Sequence, residues 1–407
     1  MIRLWSVLAA CAVAACGCSA TPAASVPRSN PFGRPATADN WVIVAPGGAG
    51  PVETPARLDV FRGSAGTVSR VPGPPGRGVT AYPWTVNGQY LAAVTGLPEQ
   101  AWNSKPADGV AYAFRPGGAY VRLGRAIAVY PAIQRGRFWI RSAVFGGHIH
   151  AARPRNCTLT EMSVTGRRVA GPVAAPCTRW LIAAVPGGFI SVPTATANAA
   201  RMPATFQQSS EAPLQLWDPA SGKVVRTYRI DPVWIYGASD RYLAWQSRSA
   251  AGQAVSSVEI TNLSTGTTRR IALPLAAGDV TWRNPVVAPD GPYLAWMEIS
   301  KATLRKFSME VPSAAGGAPA VPGPGRVKIL DVAAGRVVLN RATRIASCGA
   351  FDLSPDDRYL FVAASYANLN VVPTWSATAP IRNVRLPSNS DTPDTQQLIV
   401  TQDAAYQ

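Results

Sequence analysis

His148 and His150 are the only histidines in 407 residues, and they lie two apart in Gly146-Gly-His-Ile-His. On an extended segment, residues i and i+2 point to the same side, so both imidazoles could reach one metal ion. No cysteine or carboxylate lies close in sequence to complete a ligand set, and the pair therefore reads as part of a solvated loop with no metal. Other patterns that carry chemistry are missing from the sequence: it has no G-x-S-x-G elbow, no Walker A loop and no zinc-ligand spacing. The glycine-rich pieces Gly47-Gly-Ala-Gly50 and Gly316-Gly317 do not lead from a strand into a helix, so they do not read as phosphate loops. No catalytic residue and no cofactor is expected.

The cysteines say more. Three of the six, Cys11, Cys16 and Cys18, fall in a leader. Arg3 is its positive start and Leu4 to Val13 a short apolar stretch, well under the roughly 20 residues that span a bilayer. Val13-Ala-Ala-Cys16 resembles the bacterial lipobox, in which the cysteine is acylated and becomes the new amino terminus. Cys11 would leave too short an apolar stretch, and Cys18 lacks an aliphatic residue three positions upstream. A plain secretory signal cut further on is the alternative. Residues 1–15 are thus expected to be a signal peptide. Residues 16–38, rich in Ser, Pro, Ala, Thr and Asn, are expected to form a flexible tether. Either leader places the remainder outside the cytoplasm, anchored to the cell membrane as a lipoprotein or secreted. Disulfides are permitted there among Cys157, Cys177 and Cys348.

Composition limits the elements that could position any site. Pro (37) and Gly (35) are too frequent for long helices, which excludes a helical bundle or a doubly wound α/β enzyme, while 47% apolar residues are enough for a real core. The formal charge is +17, from 39 Lys and Arg against 22 Asp and Glu, and only five of the cations are lysines. The cations are scattered without a run of the kind basic arms show, so nucleic acid is not an expected partner.

A repeat organises residues 39–407. A turn-like pair, then an aromatic and a short apolar strand, recurs with leading aromatics Trp41, Tyr90, Phe138, Phe189, Tyr242, Tyr293 and Tyr359. An alternating strand, a glycine turn and another strand follow, clearest at Leu216–Gly222–Arg226, Ile260–Gly266–Arg270 and Ile329–Gly335–Val338. Weaker forms surround Gly66, Gly118 and Gly166. A unit of about 50 residues with four strands is a propeller-blade period. The fold expected is all-β, a seven-bladed β-propeller of four-stranded antiparallel blades. The aromatic of each repeat starts the second strand, and Val79-Thr-Ala-Tyr82, Ile127-Ala-Val-Tyr130 and Trp180-Leu-Ile-Ala183 are expected as channel-lining first strands. Asp218, Asp290, Asp356 and Asp357 fall at turns, where they would accept backbone amides.

Ala288-Pro-Asp-Gly-Pro-Tyr-Leu-Ala-Trp296 and Leu353-Ser-Pro-Asp-Asp-Arg-Tyr-Leu-Phe-Val362 resemble the S-P-D-G core of TolB-type, WD-repeat-like β-propellers. The resemblance covers roughly half the ring. It implies a propeller of six or seven blades and a periplasmic or surface binding role without catalysis. The amino-terminal domain of TolB has no counterpart, since only the tether precedes Trp41, so a TolB-like transport function is not expected.

Blade geometry then locates the loops. Those after second strands are long: Gly96 to Gly109, Phe145 to Asn156, Pro193 to Ala212 and Ser300 to Gly325. A binding face there would use Trp102, His148, His150, Lys301, Arg305 and Lys306. Cys157 and Cys177 fall on this same face around an outer hairpin and are expected to pair. Blade one lacks a first strand, because Ser25 to Ala38 is polar and broken by prolines. The spare segment Gln397-Leu-Ile-Val-Thr401 is expected to supply it by pairing with Trp41 to Val44, closing the ring. The function expected is a non-catalytic, membrane-tethered, monomeric propeller that binds a protein or an anionic cell-envelope component. The alternative is a lactonase- or hydrolase-like propeller enzyme with a channel metal.

Overall fold

A computed structural model describes residues 41–47, 57–64, 66–76, 85–96, 109–146, 153–193, 213–247, 255–288, 292–309, 323–346, 351–354, 356–364, 368–385 and 399–402. Among these, 28 strands form seven four-stranded antiparallel sheets, and the one helix is Lys301–Met309. No helix of the described residues is long and apolar enough to cross a membrane. The signal and tether segments, including Cys16, lie outside the described residues.

Within six blades the strands pair in sequence order. The second strands start at or just before the repeated aromatics: Trp41–Gly47, Tyr90–Thr95, Arg137–Gly146, Gly188–Pro193, Tyr242–Ser247, Tyr293–Ser300 and Tyr359–Ala363. Blade one is completed from the other end of the chain. Ile399–Gln402 pairs antiparallel with the start of Trp41–Gly47, Trp41 opposite Gln402 and Val44 opposite Ile399. The first strands Ile399–Gln402, Thr85–Asn87, Ala128–Pro131, Arg179–Val185, Pro232–Ala238, Asp279–Val287 and Phe351–Leu353 touch in that order and so surround the axis.

A blade has two apolar faces, and each is buried against a neighbour. Between blades seven and one, Trp41 is fully buried, stacked on Phe61 at 5.7 Å and meeting Phe361 edge-on at 5.2 Å. Between blades three and four, Phe189 meets Tyr130 at 5.8 Å and Trp139 at 5.7 Å, both edge-on. Such pairs add about 0.5–1.5 kcal/mol beyond their area burial. Trp180, Trp217 and Trp296 are also buried, so these tryptophans serve the seams between blades and do not form a sugar platform.

The arginine excess is partly structural. Arg62 donates to the Pro116 carbonyl at 2.7 Å, Arg382 to Gly63 at 3.1 Å, and Arg226 to Leu263 at 3.3 Å and to Ser264. Arg341 donates to the carbonyls of Ser376 and Ala379, both at 2.8 Å. In each case the guanidinium leaves an outer strand and grips the connection between third and fourth strands of the next blade. A planar fork with five donors can satisfy several turn carbonyls at once, which lysine cannot. Backbone conformation explains the turn glycines: Gly66, beside the Arg382 guanidinium, takes φ +66°, which a side chain disfavours.

Three expected segments come out differently. The first strand of blade two is Thr85–Asn87, and residues 79–82 lie outside the described residues. Three residues suffice because Asn87 pins the strand end to blade three, its amide donating to the carbonyls of Ala132, Gln134 and Arg137 at 2.7–3.0 Å. Much of Phe145 to Asn156 is strand, since Arg137–Gly146 pairs with Arg153–Ser163 across an irregularity where Asn156 takes φ 49°. Finally, Ser300 to Gly325 opens with the helix. Ser300 caps it, its Oγ accepting from the Thr303 amide at 3.1 Å, and Thr303 and Phe307 turn inward one helical turn apart.

Candidate functional site

The channel widens at the face where first strands turn into second strands. Val86 to Gly88 of blade two, Pro131 to Arg135 of blade three, Ala184 of blade four, Ala238 to Asp240 of blade five and Asp352–Leu353 of blade seven line a recess of about 460 Å³. Small residues and backbone make most of its wall because the channel strands end in tight turns there. Its polar groups are few. Asp352 is half-buried on the first strand of blade seven, with Oδ1 accepting from the Leu353 amide at 2.8 Å. Burial pushes its carboxyl up to about 6, and that hydrogen bond works in the opposite direction. Asp240 and Arg135 are exposed at the rim, Asp240 lying 3.6 Å from Arg241. Ser239 is buried in the turn, its Oγ accepting from the amides of Arg241 and Tyr242 at 3.3 and 3.2 Å. The recess therefore offers two carboxyl groups to hydrogen-bond donors or cations, beside one arginine and the exposed apolar side chain of Ile133.

None of the described candidate residues of the sequence lines the recess. Trp102, His148, His150 and Cys348 are outside the described residues. Lys301, Arg305 and Lys306 are exposed on the helix, which follows a second strand and so sits at the opposite face from the recess. Cys157 and Cys177 form a disulfide with Cα atoms 5.3 Å apart. Cys157 lies within the third strand of blade three rather than before it, and Cys177 two residues ahead of the first strand of blade four. Asp218 accepts from the amides of Ala220 and Ser221, and Asp356 from Ser354 Oγ and the Arg358 amide. Asp290 is outside the described residues.

Several buried charges were not singled out in the sequence. Glu298 and Lys328 pair at 2.5 Å on adjacent strands of blade six. Glu298 also accepts from the Ala276 amide at 2.7 Å and Lys328 donates to the Pro274 carbonyl at 2.6 Å, so the pair fastens the connection from blade five. Partial burial, with the neighbouring Glu298, raises the Asp279 carboxyl above its ordinary value. Arg141 is fully buried between blades three and four, donating to the carbonyls of Arg179 and Pro176, both at 2.7 Å. The usable sequence signal was parity: Arg141 shares the inward face of Trp139, where a cation is out of place. Among the described residues, no group of three or more His, Cys, Asp and Glu is placed to hold a metal ion.

No family model matches the chain, and no curated protein matches it. Solved structures that it resembles include a dihydro-heme d1 dehydrogenase, NirN, at 13% identity and TM-score 0.40 over 93% of this chain and 71% of that one. A Bacteroides fragilis protein assigned as a 6-phosphogluconolactonase gives 12% and 0.44, over 91% and 98%. AztD of Citrobacter koseri gives 10% and 0.35, over 89% and 98%. At such identities and scores these likenesses say nothing about activity.

Proposed function

We propose that this chain is a non-catalytic binding propeller, held outside the cytoplasm by a lipid on Cys16, whose partner is a protein or an anionic component of the cell envelope. The observation that carries the binding reading is the recess at the channel mouth. Five blades contribute to its walls, so it is rigid, and its carboxyl groups suit a hydrogen-bond donor or cation projecting from a protein, which favours the protein over the anionic component. The anchor rests on Val13-Ala-Ala-Cys16 and the tether that follows. A single acyl chain binds membranes marginally, whereas the two or three of a lipoprotein hold stably.

The test joins both parts. Envelope capture with the tethered protein should retain a partner that Asp352→Asn and Asp240→Asn together release. Cys16→Ala should move the protein from the membrane fraction to the soluble or secreted one and abolish fatty-acid labelling. Capture unchanged by the double substitution would remove the recess from the reading, and unchanged fractionation would remove the anchor. A propeller enzyme with a channel metal is the second reading, because Asp240 and Asp352 stand at one mouth. Stoichiometric calcium or zinc in the purified protein would establish it in place of the first.

A further inference from the structure

The seam between blades three and four buries more positive charge than its surroundings answer. Arg141, on Arg137–Gly146, faces blade four with no exposure, and Tyr130, on Ala128–Pro131, is 4% exposed on the same seam. Arg179 opens the first strand of blade four and is half-buried. Its Nη1 donates to Ser191 Oγ at 3.0 Å and to Gln215 Oε1 at 2.7 Å, on the face of blade four that meets blade three. Both Nη atoms of Arg141 are spent on backbone carbonyls. Two buried donors are left over: the O–H of Tyr130, whose oxygen accepts from the Arg141 side chain, and Nε of Arg179.

No carboxylate answers these charges. The ion pairs among the described residues use other cations, and neither Arg141 nor Arg179 takes part in one. Burial, and then the charge of Arg141, holds the Arg179 guanidinium below its ordinary value. Burial raises the Tyr130 hydroxyl, and the charge of Arg141 and its hydrogen bond to that oxygen oppose the rise. Arginine does not give up its proton in a protein, so the repulsion cannot be relieved by neutralisation. A counter-anion relieves it. The half-exposed side of Arg179 gives a path from solvent.

We propose that this seam binds a phosphate dianion, as inorganic phosphate or as the head of a phosphomonoester, between the guanidiniums of Arg141 and Arg179 with the Tyr130 hydroxyl as a further donor. Two fixed positive charges match two negative ones, and the spare donors suit a tetrahedral anion with oxygens on several sides. The recess meets the other end of Arg179–Val185, at Ala184, and reaches blade three at Pro131, the residue after Tyr130.

Calorimetric titration and melting curves at matched ionic strength test it, with inorganic phosphate, phenyl phosphate, acetate and chloride as probes. Phosphate should bind and raise Tm while acetate and chloride do neither. If phenyl phosphate binds as well as inorganic phosphate, the seam takes an esterified head; if it fails, the ligand is the free ion. Arg179→Gln should weaken phosphate at least tenfold. Tyr130→Phe, which removes only a hydroxyl, should weaken it several-fold while the anion-free protein melts no lower than wild type. Asp352→Asn, in the recess, should bind phosphate as wild type. Phosphate acting no differently from chloride would overturn the proposal. So would wild-type affinity in Arg179→Gln and Tyr130→Phe, or loss of phosphate in Asp352→Asn.

Discussion

Two seams of the same ring solve the same packing problem with opposite materials. Between blades seven and one the interface is aromatic, with Trp41 among Phe61, Tyr359 and Phe361. A nearby cation, Arg382, lies over the Trp41 ring at 5.8 Å and spends a donor on Gly63. Between blades three and four, aromatics share the interface with two arginines, a tyrosine hydroxyl bonded to one of them and a disulfide that straps the outer hairpin to the next blade. The first seam joins the ends of the chain, where no covalent link exists, and apolar burial with a shared sheet must hold it. The second lies mid-chain, where a crosslink adds hold and leaves room for buried charge. Where continuity of the chain already helps, polar groups can be tolerated for a purpose other than stability.

The largest effect that would break this comparison is truncation. Deleting residues after Asp394 removes Ile399–Gln402 and leaves the edge of Trp41–Val44 unpaired. Melting should fall far below wild type, while trimming the tether before Ala38 changes Tm little; equal melting would refute closure. Trp41→Ala should come next, at about 3–5 kcal/mol by chemical denaturation, because the cavity opens where the ring has no covalent tie. Replacing both Cys157 and Cys177 with serine should cost about 3 kcal/mol in the chain-entropy view of a loop this size, read as a lower denaturation midpoint. Arg382→Lys should cost about 1 kcal/mol, since an ammonium cannot keep both the ring contact and the turn carbonyl. Asp352 should give a signal that depends on pH. Its carboxyl titrates near 4 when unfolded and about 6 when folded, so the folded state holds the extra proton between these values. Stability should fall as pH rises through that window and stay lower above it, and Asp352→Asn should flatten the fall in melting curves from pH 4 to 8.

Much of this architecture was legible because it repeats. Aromatics at near-constant spacing and glycine turns at fixed offsets report the strand period directly, and a surplus apolar segment near residue 400 could serve only a blade short of a strand. What was not legible depends on distance. The recess collects turn residues from five blades, and nothing local marks Asp352 or Asp240 as neighbours of Arg135. Arg141 and Arg179 are 38 residues apart, and although parity with Trp139 marks Arg141 as inward, nothing local joins it to Arg179. The helix was missed because Pro- and Gly-rich flanks hid a short capped segment, although Ser300 ahead of Thr303 and Phe307 carried its signature. Thr85–Asn87 is too short for alternation to show, and a side-chain amide rather than a pattern sets its place.

The borrowed first strand of blade one also orders events in time. Trp41–Val44 leaves the ribosome early and waits, one edge bare, through the synthesis of six more blades until Ile399–Gln402 appears. Blades can form as they emerge, but the ring cannot lock before its last strand arrives. A chain that stops early stays open at the Trp41 seam and presents an unpaired edge and buried aromatics to proteases and chaperones. The topology thus works as a completeness check, in which only a translation product carried through to residue 402 becomes resistant to disposal.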